Sequence, residues 1–384
     1  MSRFFPLFVP EEVMLSITRT ISSVEAKSMN LFGKLRGQSS TAALDIGNHS
    51  IKLVKLRHLK DGYFLEATGI KELPPGTIEG SEIKKKDVLI EILTTLINQC
   101  DPSIIEVVFS MSGHGIISDK FTFKIDPGEN AEELILWEAG QRSPFDVDDI
   151  TLDYKILHRN QETNEMEVLL VAAKNQVMQT YIDMLYEAGL KPVIVDVDAF
   201  AVNNCFALES AGMPVNGVTA LINIGHELTN VTFIKDGIYH SARDISTAGD
   251  FFNKTLQRNL GLSGDESSLI LKGRSTASID QAKLTQSIEY AAEELSSGID
   301  LAFSYFRSSE KSDSIDRIIL SGGGAYIPHI VEFMEKRHQA AVQLSNPLAF
   351  IQFDPNLFGN TDPQSLSAML TVAVGLALRK VDVE

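Results

Sequence analysis

One turn motif occurs twice in this chain, and the repeat constrains the fold to two matching halves. The first copy runs Ala43-Leu44-Asp45-Ile46-Gly47-Asn48-His49-Ser50-Ile51-Lys52-Leu53-Val54. The second runs Leu221-Ile222-Asn223-Ile224-Gly225-His226-Glu227-Leu228-Thr229-Asn230-Val231-Thr232. Each has an apolar run, then Asp or Asn, then Ile-Gly, a short polar stretch and a second apolar run. Each then reaches a Lys-Asp-Gly turn, at Lys60-Asp61-Gly62 and at Lys235-Asp236-Gly237. Apolar alternation broken by glycine and closed by Asp-Gly reads as antiparallel strands joined by tight turns. A strand, a glycine turn and a return strand present backbone N–H groups to an anion such as phosphate. Two copies in one chain predict two similar lobes facing a shared nucleotide.

At 384 residues the chain is long enough for about two to three domains. Hydrophobic residues make up 44%, which supplies a large core. A net charge of -17 argues against non-specific binding to nucleic acid or to anionic lipid, both of which need basic surface. Cys100 and Cys205 lie far apart in apolar segments and read as buried free thiols, which fits a reducing compartment. The histidines show no His-x-x-x-His spacing and no Cys/His cluster. No run of about 18 apolar residues is present, so no membrane-spanning helix is expected. The first ten residues are apolar but lack a basic leader and a cleavage site, so they read as neither signal nor anchor.

The rhythm of the chain gives its organisation. Residues 42–70 read as three strands with turns at Gly47 and Gly62, interrupted by Pro74-Pro75-Gly76. A helix over 87–99 and a buried strand over 104–111 follow. From 116 to 190 the order is strand, helix (131–142, stopped by Ser143-Pro144-Phe145), two strands around a hairpin at 159–165, and a helix closed by Gly189. This β-α-β-β-α unit reads as a small α+β module inserted into the first lobe. A strand over 191–197 and a helix over 199–211 precede the second copy of the motif. Then come a helix over 249–260, a polar loop with a short helix over 262–280, a long helix over 282–308, and a strand over 316–320. That strand enters Ser321-Gly322-Gly323-Gly324, followed by a helix over 328–337. A strand near Val342, an irregular stretch to 365 and an apolar helix over 367–379 end the chain. Residues 1–40 read as an N-terminal extension, disordered or a non-native start, with Met29 as the alternative start. An amphipathic helix over 11–26 that docks elsewhere is the other reading.

Neither Gly-x-x-x-x-Gly-Lys-Ser/Thr nor Gly-x-Gly-x-x-Gly after a strand is present. The paired turns carry the chemistry instead. Gly47 and Gly225 let the backbone approach an anion, because no Cβ stands in the way. Lys52 on the return strand reaches a β- or γ-phosphate as a point charge. Asp45 can hold the hydration shell of Mg²⁺, which keeps several of its waters. Gly322-Gly323-Gly324, between a strand and a helix, can pass beneath a purine or its ribose. Taken alone, each turn is a hairpin and the triple glycine a connector. In this order and at domain-scale spacing, together they point to a nucleotide.

The order resembles that of the actin, heat-shock chaperone and sugar kinase ATPases. The resemblance makes Asp45 to Lys52 (with Asn48 and Ser50) the first phosphate motif and Asn223 to Thr229 (with His226) the second. It makes 198–206 and 369–378 the connecting helices and 320–325 the adenosine motif. Over residues 29–380 the chain resembles one branch closely, the type IV pilus assembly protein PilM family. The carriers are Leu44-Asp45-Ile46-Gly47 with Ile51-Lys52, Trp137-Glu138-Ala139 to Pro144-Phe145-Asp146, and Leu169-Leu170-Val171-Ala172-Ala173-Lys174. The others are Glu187-Ala188-Gly189-Leu190-Lys191-Pro192, Val195-Asp196-Val197-Asp198-Ala199-Phe200-Ala201, Arg243-Asp244-Ile245-Ser246, and Ser321-Gly322-Gly323-Gly324-Ala325 with Ile327-Pro328. The resemblance implies an α/β, actin-like ATPase fold with two ribonuclease H-like lobes around a nucleotide cleft. The first lobe would take 41–115, 191–212 and 366–384, the inserted module 116–190, and the second lobe 213–365.

The same resemblance implies a cytoplasmic ATP- and Mg²⁺-binding scaffold, held at the inner membrane through its partner. That partner is the N-terminal tail of PilN, in a groove between the first lobe and the module. Other pilus platform and motor proteins and a homo-oligomeric ring are implied as well. Trp137, Phe145, Leu170 and Val171 are candidates to line or support the groove, with core packing as the alternative for Trp137. Asn223 stands where many relatives carry Asp, and an amide cannot take a proton. Asp198 remains to orient water, unless it serves only the helix start. Ala248-Gly249 replaces a Gly-Gly pair. The expectation is nucleotide binding with, at most, slow hydrolysis. The alternatives are an FtsA-like membrane-associated filament protein, which wants an amphipathic helix beyond 384, a metabolic kinase of the same superfamily, and a type II secretion relative with a membrane span.

Overall fold

The computed structural model describes residues 39–125, 128–142, 144–160, 162–273, 279–310 and 314–381. Residues 1–38 of the N-terminal extension, with its alternative helix over 11–26, and Ser143 of the predicted helix stop lie outside the described residues, while Ser40, placed in the extension by the sequence, begins the first strand. The chain forms two compact units. The first takes the described residues up to Ala207 together with Ile351–Leu357 and the segment from Ala373 onward, and the second takes Leu208–Phe350 and Phe358–Val372.

In the first unit, the alternation around Gly47 and Gly62 produces an antiparallel meander of β1 (Ser40–Ile46), β2 (Ser50–Leu59) and β3 (Gly62–Glu72). A two-residue-per-strand hairpin, β4 (Ile78–Glu79) and β5 (Glu82–Ile83), follows the Pro74-Pro75-Gly76 break, where no structure was expected. Helix α1 (Lys86–Cys100) buries Leu89, Leu93, Leu96 and Ile97 and packs on β3. Strand β6 (Glu106–Met111) then returns parallel to β1.

The module begins with β7 (Ile116–Lys124) and α2 (Ala131–Arg142), and continues with β8 (Ile150–Asn160) and β9 (Glu165–Lys174). Asn130 opens α2 by accepting the Glu132 amide at 3.1 Å. The three strands form an antiparallel sheet with β9 in the middle. Ile135 and Ala139 of α2 close a core with Phe121, Met166, Val168 and Leu170. Helix α3 (Asn175–Glu187) and strand β10 (Lys191–Val197), parallel to β6, lead into α4 (Asp198–Glu209). A short strand, Gln352–Phe353, joins the main sheet parallel to β3, within the stretch expected to be irregular.

The second unit repeats this plan. Strands β11 (Val218–Ile224), β12 (Thr229–Lys235) and β13 (Ile238–Ile245) form a meander, and three helices follow: α5 (Gly249–Leu260), α6 (Gly264–Leu271) and α7 (Gln281–Glu310). Strand β14 (Arg317–Ser321), helix α8 (Ile330–His338) and strand β15 (Ala341–Leu344) complete it. The sheet order β13-β12-β11-β14-β15 matches β3-β2-β1-β6-β10 of the first unit, with the last two strands parallel in both. Phe233, Phe303 and Phe306 anchor α7 on this sheet, with the Phe233 and Phe306 rings stacked at 4.6 Å.

The helix expected over 367–379 is divided. It runs as α9 (Gln364–Ser367), a 3₁₀ turn over 368–370, and α10 (Thr371–Ala377). The Ala368 carbonyl accepts the Gly322 amide at 2.8 Å and the Thr371 hydroxyl at 2.9 Å, so a tertiary bond competes with the helical ladder where the helix tightens.

Candidate functional site

In the first unit the meander sets Asp45, one residue from the end of β1, directly opposite Lys52 on β2. Lys52 Nζ lies 2.9 Å from Asp45 Oδ2, and the side chains are 13% and 12% exposed. The turn between them closes through the Gly47 amide to the Ser50 carbonyl at 3.1 Å, with Asn48 half-buried near its tip and Ser50 buried. Because β1, β6 and β10 run parallel, their carboxyl ends share one edge of the sheet, where open α/β sheets present ligand sites. The register pairs Leu44 with Phe109 of β6, one residue before Asp45 and Ser110, and Ser110 pairs with Asp196 of β10. The Ser110 hydroxyl donates to Oδ1 of Asp198, the first residue of α4. Asp45, Lys52 and Asp198 therefore gather at one end of one sheet. Asp196 serves structure instead, since Arg379 Nε reaches its Oδ2 at 2.6 Å with both side chains buried.

In the second unit Asn223 occupies the place of Asp45 and faces Asn230 where the first unit has Lys52. The Asn230 amide donates to Asp244 Oδ1 at 2.8 Å. The fold brings the triple glycine onto the second turn. A Cβ on Gly322, which holds φ +82, would come within 2.6 Å of Asn223 Oδ1, and one on Gly324 within 2.7 Å of Ile224 Cβ. Only glycine permits this contact between segments 98 residues apart, such as Asn223 and Ser321. Gly323 stays exposed at the surface of the contact.

The second turn closes as the first does, Gly225 N to Leu228 O at 3.0 Å, and it is pinned to the start of α5. Gly249 N donates to Gly225 O at 3.0 Å, and Asp250 N to His226 O at 2.8 Å. Burial lowers the His226 imidazole below its ordinary range, opposed by the nearby carboxylates of Asp250 and Glu227.

On the module, Trp137 projects from α2 with 60% of its surface exposed, beside Leu136 at 43%. The alternative of core packing for Trp137 does not hold, because Ile135 and Ala139 supply the inward face of that helix. Leu170 lies on the face of β9 under α2, and strand alternation sends Val171 to the opposite face. Both are fully buried, so they support the module rather than present a surface. Phe145 is half-buried, with Lys174 Nζ 4.7 Å from its ring centroid.

Sequence reasoning missed Ser110, Asp250 and Leu136. Ser110 was signalled only by its place at the end of a parallel strand. Asp250 was signalled by its place in the first turn of the helix that follows Gly249. Among the described residues there is no cluster of three or more His, Cys, Asp or Glu able to hold a metal, and no helix long and apolar enough to cross a membrane.

The profile of the type IV pilus assembly protein PilM family matches residues 43–381. The chain belongs to the PilM family. A solved PilM-PilN type IV pilus biogenesis complex contains a chain that is 22% identical, with a TM-score of 0.77 over 88% of this chain and 97% of that one. The ethanolamine utilization protein EutJ from Carboxydothermus hydrogenoformans is 14% identical, with a TM-score of 0.54 over 88% and 89% of the two chains. The doubled meander of this PilM-family chain has the actin-like ATPase fold.

Proposed function

We propose that this PilM-family chain is a nucleotide-binding scaffold of the type IV pilus inner-membrane assembly platform, taking the N-terminal tail of PilN in a groove between its first lobe and the inserted module. The observation that carries this reading is Trp137, a large apolar ring left 60% exposed on the module of a PilM-family chain. Exposed tryptophans beside further apolar surface, here Leu136, are the kind of residue that anchors protein interfaces. Phe145 and Lys174 would border the tail, with buried Leu170 and Val171 supporting them from below.

The nucleotide half of the proposal rests on the donor set. Lys52 and Asp45 already hold opposite charges 2.9 Å apart in a largely covered place. A phosphate can take the place of Asp45 as the partner of the Lys52 ammonium, freeing the carboxylate for a hydrated cation. Lys52 would take the phosphate and Asp45 the hydration shell of Mg²⁺. Gly47, Asn48 and Ser50 of the first turn, with Asn223, Gly225 and His226 of the second, would contact the phosphates. The segment Gly322-Gly323-Gly324 would lie along the nucleoside. Bound Mg²⁺ would supply charge neutralisation at the phosphates. Asp198, held by Ser110, is the remaining group to orient a water. Asn223 cannot accept a proton, so turnover stays below about 1 per second. ATP-linked closure of the lobes can affect PilN only to the extent that open and closed states bind the tail differently.

Trp137 is the only tryptophan in the chain, so its fluorescence reports on the module directly. Titration with a tryptophan-free PilN tail peptide, with and without Mg-ATP, is expected to change the emission saturably. A flat titration in both conditions would remove the pilus-scaffold reading.

A further inference from the structure

The two turns are alike in backbone but not in chemistry. Beyond Gly47 the first carries Asn48, an amide that does not titrate. Beyond Gly225 the second carries His226. We propose that His226 makes nucleotide binding proton-linked: the imidazole takes up a proton when a phosphate arrives at the second turn, so that affinity for Mg-ATP rises as pH falls. This inference rests on the nucleotide half of the function proposed above.

The geometry supports it in three ways. First, the turn is held by backbone bonds to α5, so His226 is presented at a fixed place beside the first turn of that helix. Second, Asp250, Lys254 and Glu227 bring charge to the ring, and the first two are arranged in a chain. His226 Nε2 lies 4.0 Å from Asp250 Oδ1, an ion-pair distance beyond a hydrogen bond. Asp250 Oδ2 lies 2.6 Å from Lys254 Nζ, so a neighbouring ammonium already spends part of the Asp250 charge. Glu227, on the turn itself, adds the other negative influence, and Lys254 a positive one. Third, the amino end of α5 carries the positive pole of the helix, which disfavours a second positive charge until an anion is present.

Without ligand, burial and the helix pole disfavour the charged ring, against the reduced pull of Asp250 and Glu227. A phosphate reverses the local potential. The neutral ring can donate one hydrogen bond, whereas the imidazolium donates two, and a charged donor to phosphate is the stronger bond. The sign follows. The ring's pKa is low when free and higher when bound, so binding consumes a proton, and affinity rises as pH falls between the two values. Each pKa unit gained on binding corresponds to about a tenfold gain in affinity.

The test is calorimetric titration of the full chain with Mg-ATP at about pH 6 and about pH 8, in two buffers of different ionisation heat, repeated with His226→Gln. Proton uptake is expected, with affinity about tenfold higher at the lower pH, and both effects are expected to vanish in His226→Gln. Asp250→Asn serves as a second variant that keeps the ring, and it should move the onset of the pH dependence to lower pH. An equal pH slope and equal proton uptake in His226→Gln would overturn the assignment of the proton to this ring. Absence of Mg-ATP binding at every pH would overturn the nucleotide reading and this inference with it.

Discussion

Lys52 and Asp45 face each other because the turn closed by the Gly47 amide on the Ser50 carbonyl brings β2 back in register. At the residue scale this pair carries the sharpest prediction of the proposed function. Lys52→Ala leaves a carboxylate without its cation in a largely covered place, and it should weaken Mg-ATP binding at least about tenfold by calorimetry. Trp137 makes the opposite kind of prediction. Being exposed, it contributes little to the core, so Trp137→Ala should change stability by no more than about 0.5 kcal/mol in urea. The same change should weaken binding of the PilN tail by about 2 kcal/mol. His338 at the end of α8 gives a pH prediction. Its side chain is 2% exposed, Nδ1 lies 3.3 Å from Asp300 Oδ1, and its ring packs edge-on against Phe303. Burial lowers its pKa, opposed by Asp300 and Glu293, while Arg337 and Arg307 lower it further. A folded-state value below that of the unfolded chain means that the stability it confers is complete above about pH 6.5. That stability is lost as pH falls from there toward the folded value. Melting midpoints across this range should fall for the native chain, and less steeply for His338→Gln.

At the scale of elements, local pattern was legible where the local signal was complete. The alternation over 42–70 specifies β1 to β3. The acidic first turn of 131–142 gives α2, and the apolar spacing in 87–99 gives α1. Even α6 has a readable start, since Ser263-Gly264-Asp265-Glu266 is a capping box. Ser263 Oγ accepts the Glu266 amide at 3.3 Å, and Glu266 Oε2 accepts the Ser263 amide at 2.8 Å. Ser263→Ala should cost about 1 kcal/mol in chemical denaturation. The split between α9 and α10 was not legible, because the Gly322 amide that competes for the Ala368 carbonyl comes from a distant loop. The same holds for the crossing of α4 and α10, where a Cβ on Gly375 would overlap the carbonyl oxygen of Ala201. Gly375→Ala should therefore destabilise the fold by about 1–3 kcal/mol, read as a lower denaturation midpoint.

At the scale of the whole molecule, the repeated motif produced two sheets of the same strand order, and each sheet carries a glycine turn between the first two strands of its meander. Under the proposed function Mg-ATP binds only the folded chain, so it should stabilise it by about 2.7 kcal/mol at a hundredfold excess over Kd. Thermal melts with and without Mg-ATP check this. The sequence by itself determined the doubled meander, the strands and helices of the 116–190 segment and the turn residues, because strand alternation, glycine turns and helix caps act over a few neighbours. It also carried the membership of the PilM family in its short motifs. Only the tertiary structure decided that Gly322 and Gly324 lie on Asn223 and Ile224, that Asp250 stands by His226, and that Trp137 faces outward while Leu170 and Val171 face in. Those relations depend on which face of an element meets another segment far away in the chain, and close packing, rather than local preference, selects that face.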